Sequence, residues 1–250
     1  INAFGQNINI PDTLFKSYLV GDSKINTNGD GEIQVSEATG FSGGIECENA
    51  DISDLTGIEM FTALTELHCN RNQLTSLDLS HNTALTILNC GRNQLTSLDI
   101  SQNKSLTDLW CHGNQLTYLD VSQNIALKNF YCGWNQLTSL DLSHNTVLKG
   151  FSCGGNQLTS LDLSHNTALT ILNCEDNQLT SLNVNGAISL VLFYCPNNKL
   201  TSLDLSQNTD LTELECTNNQ LTSLNVSQNI ALTYLNCSEN KLTSIDLTNN

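Results

Sequence analysis

The chain reads as a mainly β solenoid. Two short parallel sheets face each other along a nearly straight rod, with a small α-helical cap in front. Three observations predict it. Residues 64–84, LTELHCNRNQLTSLDLSHNTA, set a unit that restarts at 85, 106, 127, 148, 169, 190 and 211, with a last copy from Leu232 to Asn250, every step being 21 residues. A fixed period in this range, free of insertions, is what stacked units produce when each buries its face on its neighbours. Inside each unit the triplets Leu67-x-Cys69 and Leu77-x-Leu79 alternate with period two, which is strand periodicity. Each half-unit has 10 or 11 residues, too few for a helix after the strand. The expected division is a helical cap over 1–42, a degenerate first coil over 43–63, and nine repeats over 64–250.

In the cap, INIPDTLFKSYLV predicts a short helix. Pro11 suits its first turn, Asp12 favours its positive end, and Gly21 can terminate it. Leu14, Phe15, Tyr18 and Leu19 give one apolar face, expected to rest on the first coil.

NTNGDGEIQVSE follows, over residues 26–37. As a twelve-residue calcium loop it puts Asn26, Asn28 and Asp30 at positions 1, 3 and 5, and Gly31 at the sharp turn. Glu32 then offers its backbone carbonyl, Gln34 sits at position 9, and Glu37 supplies the bidentate carboxylate at 12. The stretch resembles EF-hand and dockerin loops, with Asn26 where Asp is usual. Only Asp30 and Glu37 bring full charge, so a weak structural Ca2+ is expected, in the ~10⁻⁴ to 10⁻³ M range of extracellular modules. The plain alternative is a polar turn without metal.

Residues 43–63 carry Ile45, Cys47, Ile52 and Leu55 at inward positions, with Ala50 where the repeat has Asn. The run ISDLTGIEMFTALTEL resembles the junction between cap and first repeat of internalins, bacterial surface proteins whose caps are EF-hand-like.

Within one coil, LxxLxCxxN spans 64–72 and LxxLDLSxN spans 74–82. This resembles the bacterial 21-residue leucine-rich repeat called IRREKO, and the copies of LTSLDLSxN look like secreted leucine-rich repeat proteins of Bacteroidetes. The resemblance implies a right-handed solenoid. With strands about 4.8 Å apart, nine coils make a rod roughly 43 Å long. The last coil ends at DLTNN without a cap, so the natural protein is expected to continue.

Asn72 and its successors to Asn240 hold one corner in all nine coils; Asn82 and its successors hold the other, broken only by Ala187. An Asn side chain both donates and accepts, so stacked copies are expected to satisfy turn backbone between coils.

Ten cysteines fall one per coil, at 47, 69, 90, 111, 132, 153, 174, 195, 216 and 237. Metal binding, redox chemistry and a disulfide ladder are conceivable, yet a spacing of about 4.8 Å suits the ~3.8 Å Cβ separation of a disulfide poorly. Buried free thiols, acting as small apolar residues, are expected.

Charge bounds the partners. Nine basic side chains against 25 acidic give a formal net charge of −16, which argues against nucleic acid and anionic membrane as ligands. No run of 18 apolar residues exists to span a bilayer. No signal peptide is visible at Ile1, as in a processed or trimmed start.

The outward positions of the two halves differ. Asp78, Asp99, Asp120, Asp141, Asp162 and Asp204 recur almost unchanged between serines, which reads as a solvated polar face or a repeated cation surface. The cysteine half varies instead, with His68, Trp110, Tyr131 and Tyr194 outward and Arg71, Arg92, His112 and Trp134 in the following turn. Trp110, Tyr131 and Trp134 are expected to cluster on adjacent coils, and aromatics beside arginine are common interface anchors. His144 and His165 read as surface residues.

No nucleophile–base pair or phosphate loop is present, so no catalysis is expected. The resemblances imply an extracellular or cell-surface module that binds a protein, in adhesion or at a host surface. A carbohydrate-binding module using the same aromatics, and a spacer rod, are the alternatives.

Overall fold

A computed structural model describes residues 5–248 and Asn250. The cap contains two helices, α1 (Thr13–Gly21) and α2 (Val35–Gly40). After it come twelve three-residue strands: β1 (Gly44–Glu46), β2 (Glu66–His68), β3 (Ile87–Asn89), β4 (Asp108–Trp110), β5 (Asn129–Tyr131), β6 (Gly150–Ser152), β7 (Ser160–Asp162), β8 (Ile171–Asn173), β9 (Ser181–Asn183), β10 (Leu192–Tyr194), β11 (Glu213–Glu215) and β12 (Tyr234–Asn236). Ten pair in parallel as one sheet, in the order β1-β2-β3-β4-β5-β6-β8-β10-β11-β12, and β7 pairs with β9 on the opposite flank. The registers join equivalent residues one period apart, such as Leu67 with Leu88 and Leu88 with Leu109. The mainly β parallel-strand solenoid read from the repeat is therefore the fold.

The second sheet is much smaller than expected. The Leu-Asp-Leu half runs as turns in most coils; Asp78 Oδ1 accepts the Ser80 N–H two residues on, at 2.9 Å, and its equivalents do the same, Asp162 of β7 included. At β7–β9 the partner of Asp162 is Asn183, whose Nδ2 donates to Asp162 Oδ1 at 2.9 Å, and Leu163 N–H reaches Asn183 O across the coils. A hydrogen bond there replaces the like-charge opposition of two aspartates.

The core is one continuous column. Leu64, Leu67, Cys69 and Leu74 are fully buried in the first full coil, and their equivalents follow through Leu221. Ile45, Cys47, Ile52 and Leu55 extend it into the degenerate coil, where Asn72 Oδ1 accepts from Ala50 N–H and Ile52 N–H.

Helix α1 starts two residues later than Pro11 at its first turn would require. Asp12 is the N-cap, its Oδ1 accepting from Leu14 and Phe15 N–H at 2.9 and 3.0 Å. Its Oδ2 accepts from Ser53 N–H, Ser53 Oγ–H and Asp54 N–H, so one carboxylate caps the helix and fastens it to the first coil. Desolvation pushes that carboxyl up, but the donors from Phe15, Ser53 and Leu14 outweigh it and leave its pKa lowered. Phe15 and Leu19 are buried, whereas Leu14 faces solvent and drops out of the expected apolar face, since α1 turns only a narrow stripe to the solenoid.

The two asparagine corners behave differently. In the first, Asn135 Nδ2 donates to Cys111 O and Cys132 O at 3.1 and 3.0 Å, and its Oδ1 accepts Leu116 N–H at 3.0 Å. In the second, Asn124 Nδ2 donates to Ile100 O and Asn103 O, while its Oδ1 has no partner among the described residues. The expectation of double use holds for the first corner; the second uses only its donor half.

All ten cysteines are free thiols, nine of them buried, with Cys237 in the last coil half-buried. Burial raises the pKa values of the nine buried thiols, Cys90 to about 12, so their thiolate form is suppressed.

Candidate interaction surface

The ten-stranded sheet turns alternate residues outward. Register pairs Trp110 with Tyr131, and their rings stack, centroids 5.9 Å apart and planes 2° from parallel. Strand spacing supports such a stack because equivalent side chains on adjacent coils lie about 4.8 Å apart. Beside them, Asn129 Nδ2 donates to Asp108 Oδ1 at 2.7 Å, and Thr107 Oγ–H donates to Asp108 Oδ2. Further along, the Tyr194 hydroxyl donates to Glu213 Oε2 at 2.7 Å, and this bond raises the tyrosine pKa. At the other end, His68 Nε2 lies 3.8 Å from Glu66 Oε2.

The turn after each strand holds a feature that the sequence reading missed. The residue before each first-corner Asn is left-handed: Arg71 (φ 57), Arg92 (55), Gly113 (66), Trp134 (55), Gly155 (69), Asp176 (49), Asn197 (55), Asn218 (52) and Glu239 (53). Its N–H reaches the next coil's carbonyl, as Trp134 N–H to Gly154 O at 2.7 Å, so stacking fixes the conformation. Glycine takes it freely and Asn at small cost, whereas Arg or Trp costs on the order of 1 kcal/mol. The mixture of Gly113, Gly155, Asn197 and Asn218 in one column was the available signal.

Trp134 is 64% exposed. It forms no aromatic pair with Tyr131 among the described residues; its indole lies over Gly155, where a Cβ would sit 2.8 Å from Cδ2. The expected three-ring cluster is therefore a stacked pair plus an indole turned toward the following coil. His112 lies over Gly91, and burial together with Arg92 and Arg71 lowers its pKa, which keeps it neutral at pH 7. The turn edge thus runs from basic, at Arg71 and Arg92, through Trp134, to acidic, at Glu175, Asp176 and Glu239.

On the opposite flank, Asp78, Asp99, Asp120, Asp141, Asp162 and Asp204 each accept a serine N–H from their own turn, which holds their carboxyls below the usual range. His144 and His165 lie near Asp141 and contribute to its lowering. Among the described residues, no group of three or more His, Cys, Asp or Glu is placed to hold a metal ion.

The loop over 26–37 closes on itself. Asn26 Oδ1, Asn28 Oδ1 and Asp30 Oδ1 accept from Gly29, Asp30 and Glu32 N–H, with Gly29 and Gly31 left-handed. Glu37 Oε1 accepts from Thr27 and Asn28 N–H, and Oε2 from Gln34 N–H. Gln34 Nε2 donates to both Asp30 oxygens, and Asn28 Nδ2 donates to Gln34 Oε1 at 2.6 Å. The Glu32 carboxylate pairs with Lys16 at 2.7 Å, outside the loop. These side chains converge and are of the oxygen-donor kind a hard cation such as calcium takes, but both Asp30 oxygens and Glu37 Oε1 already accept two or three donors each, which a bound ion would have to displace.

No family model matches the chain. A stretch of 39 residues, 16% of the chain, is 54% identical to Internalin J of Listeria monocytogenes and spans 4% of that protein. Among solved structures, the functional domain of InlJ from Listeria monocytogenes, which includes a cysteine ladder, superposes with a TM-score of 0.90 at 40% identity. That match covers 98% of this chain and 54% of the other, so the chain spans about half the length of the domain. Internalin C2 of Listeria monocytogenes shares the fold, with a TM-score of 0.68 at 22% identity over 94% of each chain. Repeat, cysteine column and helical cap give the chain a leucine-rich repeat solenoid fold, which in sequence and shape is similar to the internalin J domain.

Proposed function

We propose that this chain is a non-catalytic recognition module that binds a protein partner through the outer face of its ten-stranded sheet, around Trp110, Tyr131 and Trp134. The observation that carries the reading is Trp134: a large indole left 64% exposed, on left-handed backbone that glycine occupies in the coils on either side. Retained strain and an exposed aromatic are what a contact residue needs and a spacer does not. The likeness to the InlJ functional domain and internalin C2 supports display outside the cell, secreted or on a bacterial surface, with adhesion as the role. Ten free thiols suit that compartment only because nine are buried and their ionisation is suppressed.

The test is binding of the labelled chain to cell surfaces. Trp110→Ala with Trp134→Ala abolishes binding, while Ser97→Ala with Asp99→Asn on the other flank leaves it intact. Prior protease treatment of the target removes binding. If glycosidase removes it and protease does not, the ligand is a carbohydrate and the protein reading fails.

The loop over 26–37 is proposed as a weak structural calcium site held by Asn26, Asn28, Asp30, the Glu32 carbonyl, Gln34 and Glu37. Calcium titration by calorimetry should give a Kd of about 10⁻⁴ to 10⁻³ M that Glu37→Gln removes. Heat identical in wild type and variant would leave a metal-free turn.

A further inference from the structure

Coil 148–168 is nearly bare on the recognition face. Gly150, Ser152, Gly154 and Gly155 stand where some other coils carry large or charged side chains, such as Glu66, Trp110, Glu175 and Trp134. The neighbours on both sides lean over this gap. A Cβ on Gly154 would lie 2.8 Å from Cγ and 3.4 Å from Oε1 of Glu175, and one on Gly155 would lie 2.8 to 3.2 Å from Cδ2, Cε3 and Cε2 of Trp134. An indole from the preceding coil and a glutamate from the following coil therefore lie over two consecutive glycines. Glu175 forms no ion pair among the described residues; its Oε1 accepts only the Asn173 amide, at 3.2 Å.

We infer that this place receives a lysine or arginine side chain from the partner, its cation over the Trp134 indole and its N–H groups on the Glu175 carboxylate. This rests on the protein-recognition reading and adds the chemistry of the contact. An aromatic face beside a carboxylate attracts a cation twice, through the ring quadrupole and through a charge-assisted hydrogen bond. Asp176, Glu213, Glu215 and Glu239 continue the acidic side of the same face, and the net charge of −16 steers a basic segment toward it. A second copy of the chain could offer Arg71 and Arg92, but each copy would bring the same −16, and the mutual repulsion favours a basic partner.

The test uses the whole chain and a fluorescein-labelled dodecapeptide alternating arginine and serine, followed by anisotropy. Binding should saturate and weaken about tenfold on Glu175→Gln and on Trp134→Ala. Asp141→Asn, which removes the same charge from the opposite flank, should change it by no more than about twofold. A glutamate–serine peptide should not bind. Absence of saturation, equal loss from Asp141→Asn, or indifference to Glu175→Gln overturns the inference. A dimer in sedimentation that Arg92→Glu dissolves assigns the face to a second copy and overturns it too. If cell binding falls with Trp134→Ala while the arginine peptide ignores that change, recognition stands and the cationic ligand is wrong. If cell binding ignores Trp134→Ala, both fall.

Discussion

Replacing one asparagine from each corner by alanine tests the bonding pattern of the rod. Asn135 and Asn124 are both buried, so the cavities left by Asn135→Ala and Asn124→Ala are comparable and the difference lies in hydrogen bonds. Asn135→Ala leaves the buried Leu116 N–H without its acceptor. Cys111 O and Cys132 O each lose one of two donors but keep the other, from Asn114 and Asn156. One orphaned donor and two weakened acceptors cost about 2–4 kcal/mol. Asn124→Ala orphans nothing, because Ile100 O keeps Asn103 N–H and Asn103 O keeps Leu106 N–H. It also removes a buried Oδ1 that has no partner, so its cost is about 1 kcal/mol. The chain already tolerates Ala187 at this corner, fully buried, with its carbonyl bonded by Asn208 Nδ2 at 2.8 Å. Urea unfolding followed by circular dichroism gives both costs. Equal destabilisation, or a larger loss for Asn124→Ala, would refute the reasoning and mean that the second corner's oxygens are satisfied after all.

Three further outcomes follow from the same geometry. Gly155→Ala places a methyl against the Trp134 indole at φ +69; it should cost about 1 kcal/mol or more and blue-shift or quench tryptophan emission, and an unchanged spectrum would contradict the packing. Alkylation under native conditions should modify Cys237 first and the nine buried thiols slowly, with all ten reacting in denaturant; mass spectrometry reads the order. The depressed carboxyls of Asp12, Asp78, Asp99, Asp120, Asp141, Asp162 and Asp204 contribute stability that is present above their unfolded pKa and lost as pH falls through the folded one. The melting temperature should therefore hold from neutral down to about pH 4 and fall below it, and a decline that begins near pH 6 would point to other groups.

The period and its inward columns were legible because leucine and cysteine recur where burial demands them, and no partner element is needed to read that. What stayed hidden depends on geometry between coils. Asp78 and its equivalents look like strand residues in sequence, yet the flank forms a sheet only where Asn183 stands beside Asp162 and bonds it across the coils. Pro11 and Asp12 are adjacent helix-start signals, and Asp12 begins the helix because its carboxylate caps Leu14 and Phe15 N–H while also holding Ser53. The aromatic pair was foreseen from register, but the direction of Trp134 was not, since it follows from a left-handed turn imposed by the Trp134 N–H bond to Gly154 O in the next coil.

Because the stacking bonds of the repeats recur between the same pairs of positions from coil to coil, gaining or losing a whole copy would leave the remaining pairings intact. The distance between the cap and the Trp134 contact can then change only in increments of about 4.8 Å. A chain built this way tunes reach like a ladder with removable rungs, while the grip itself stays the same.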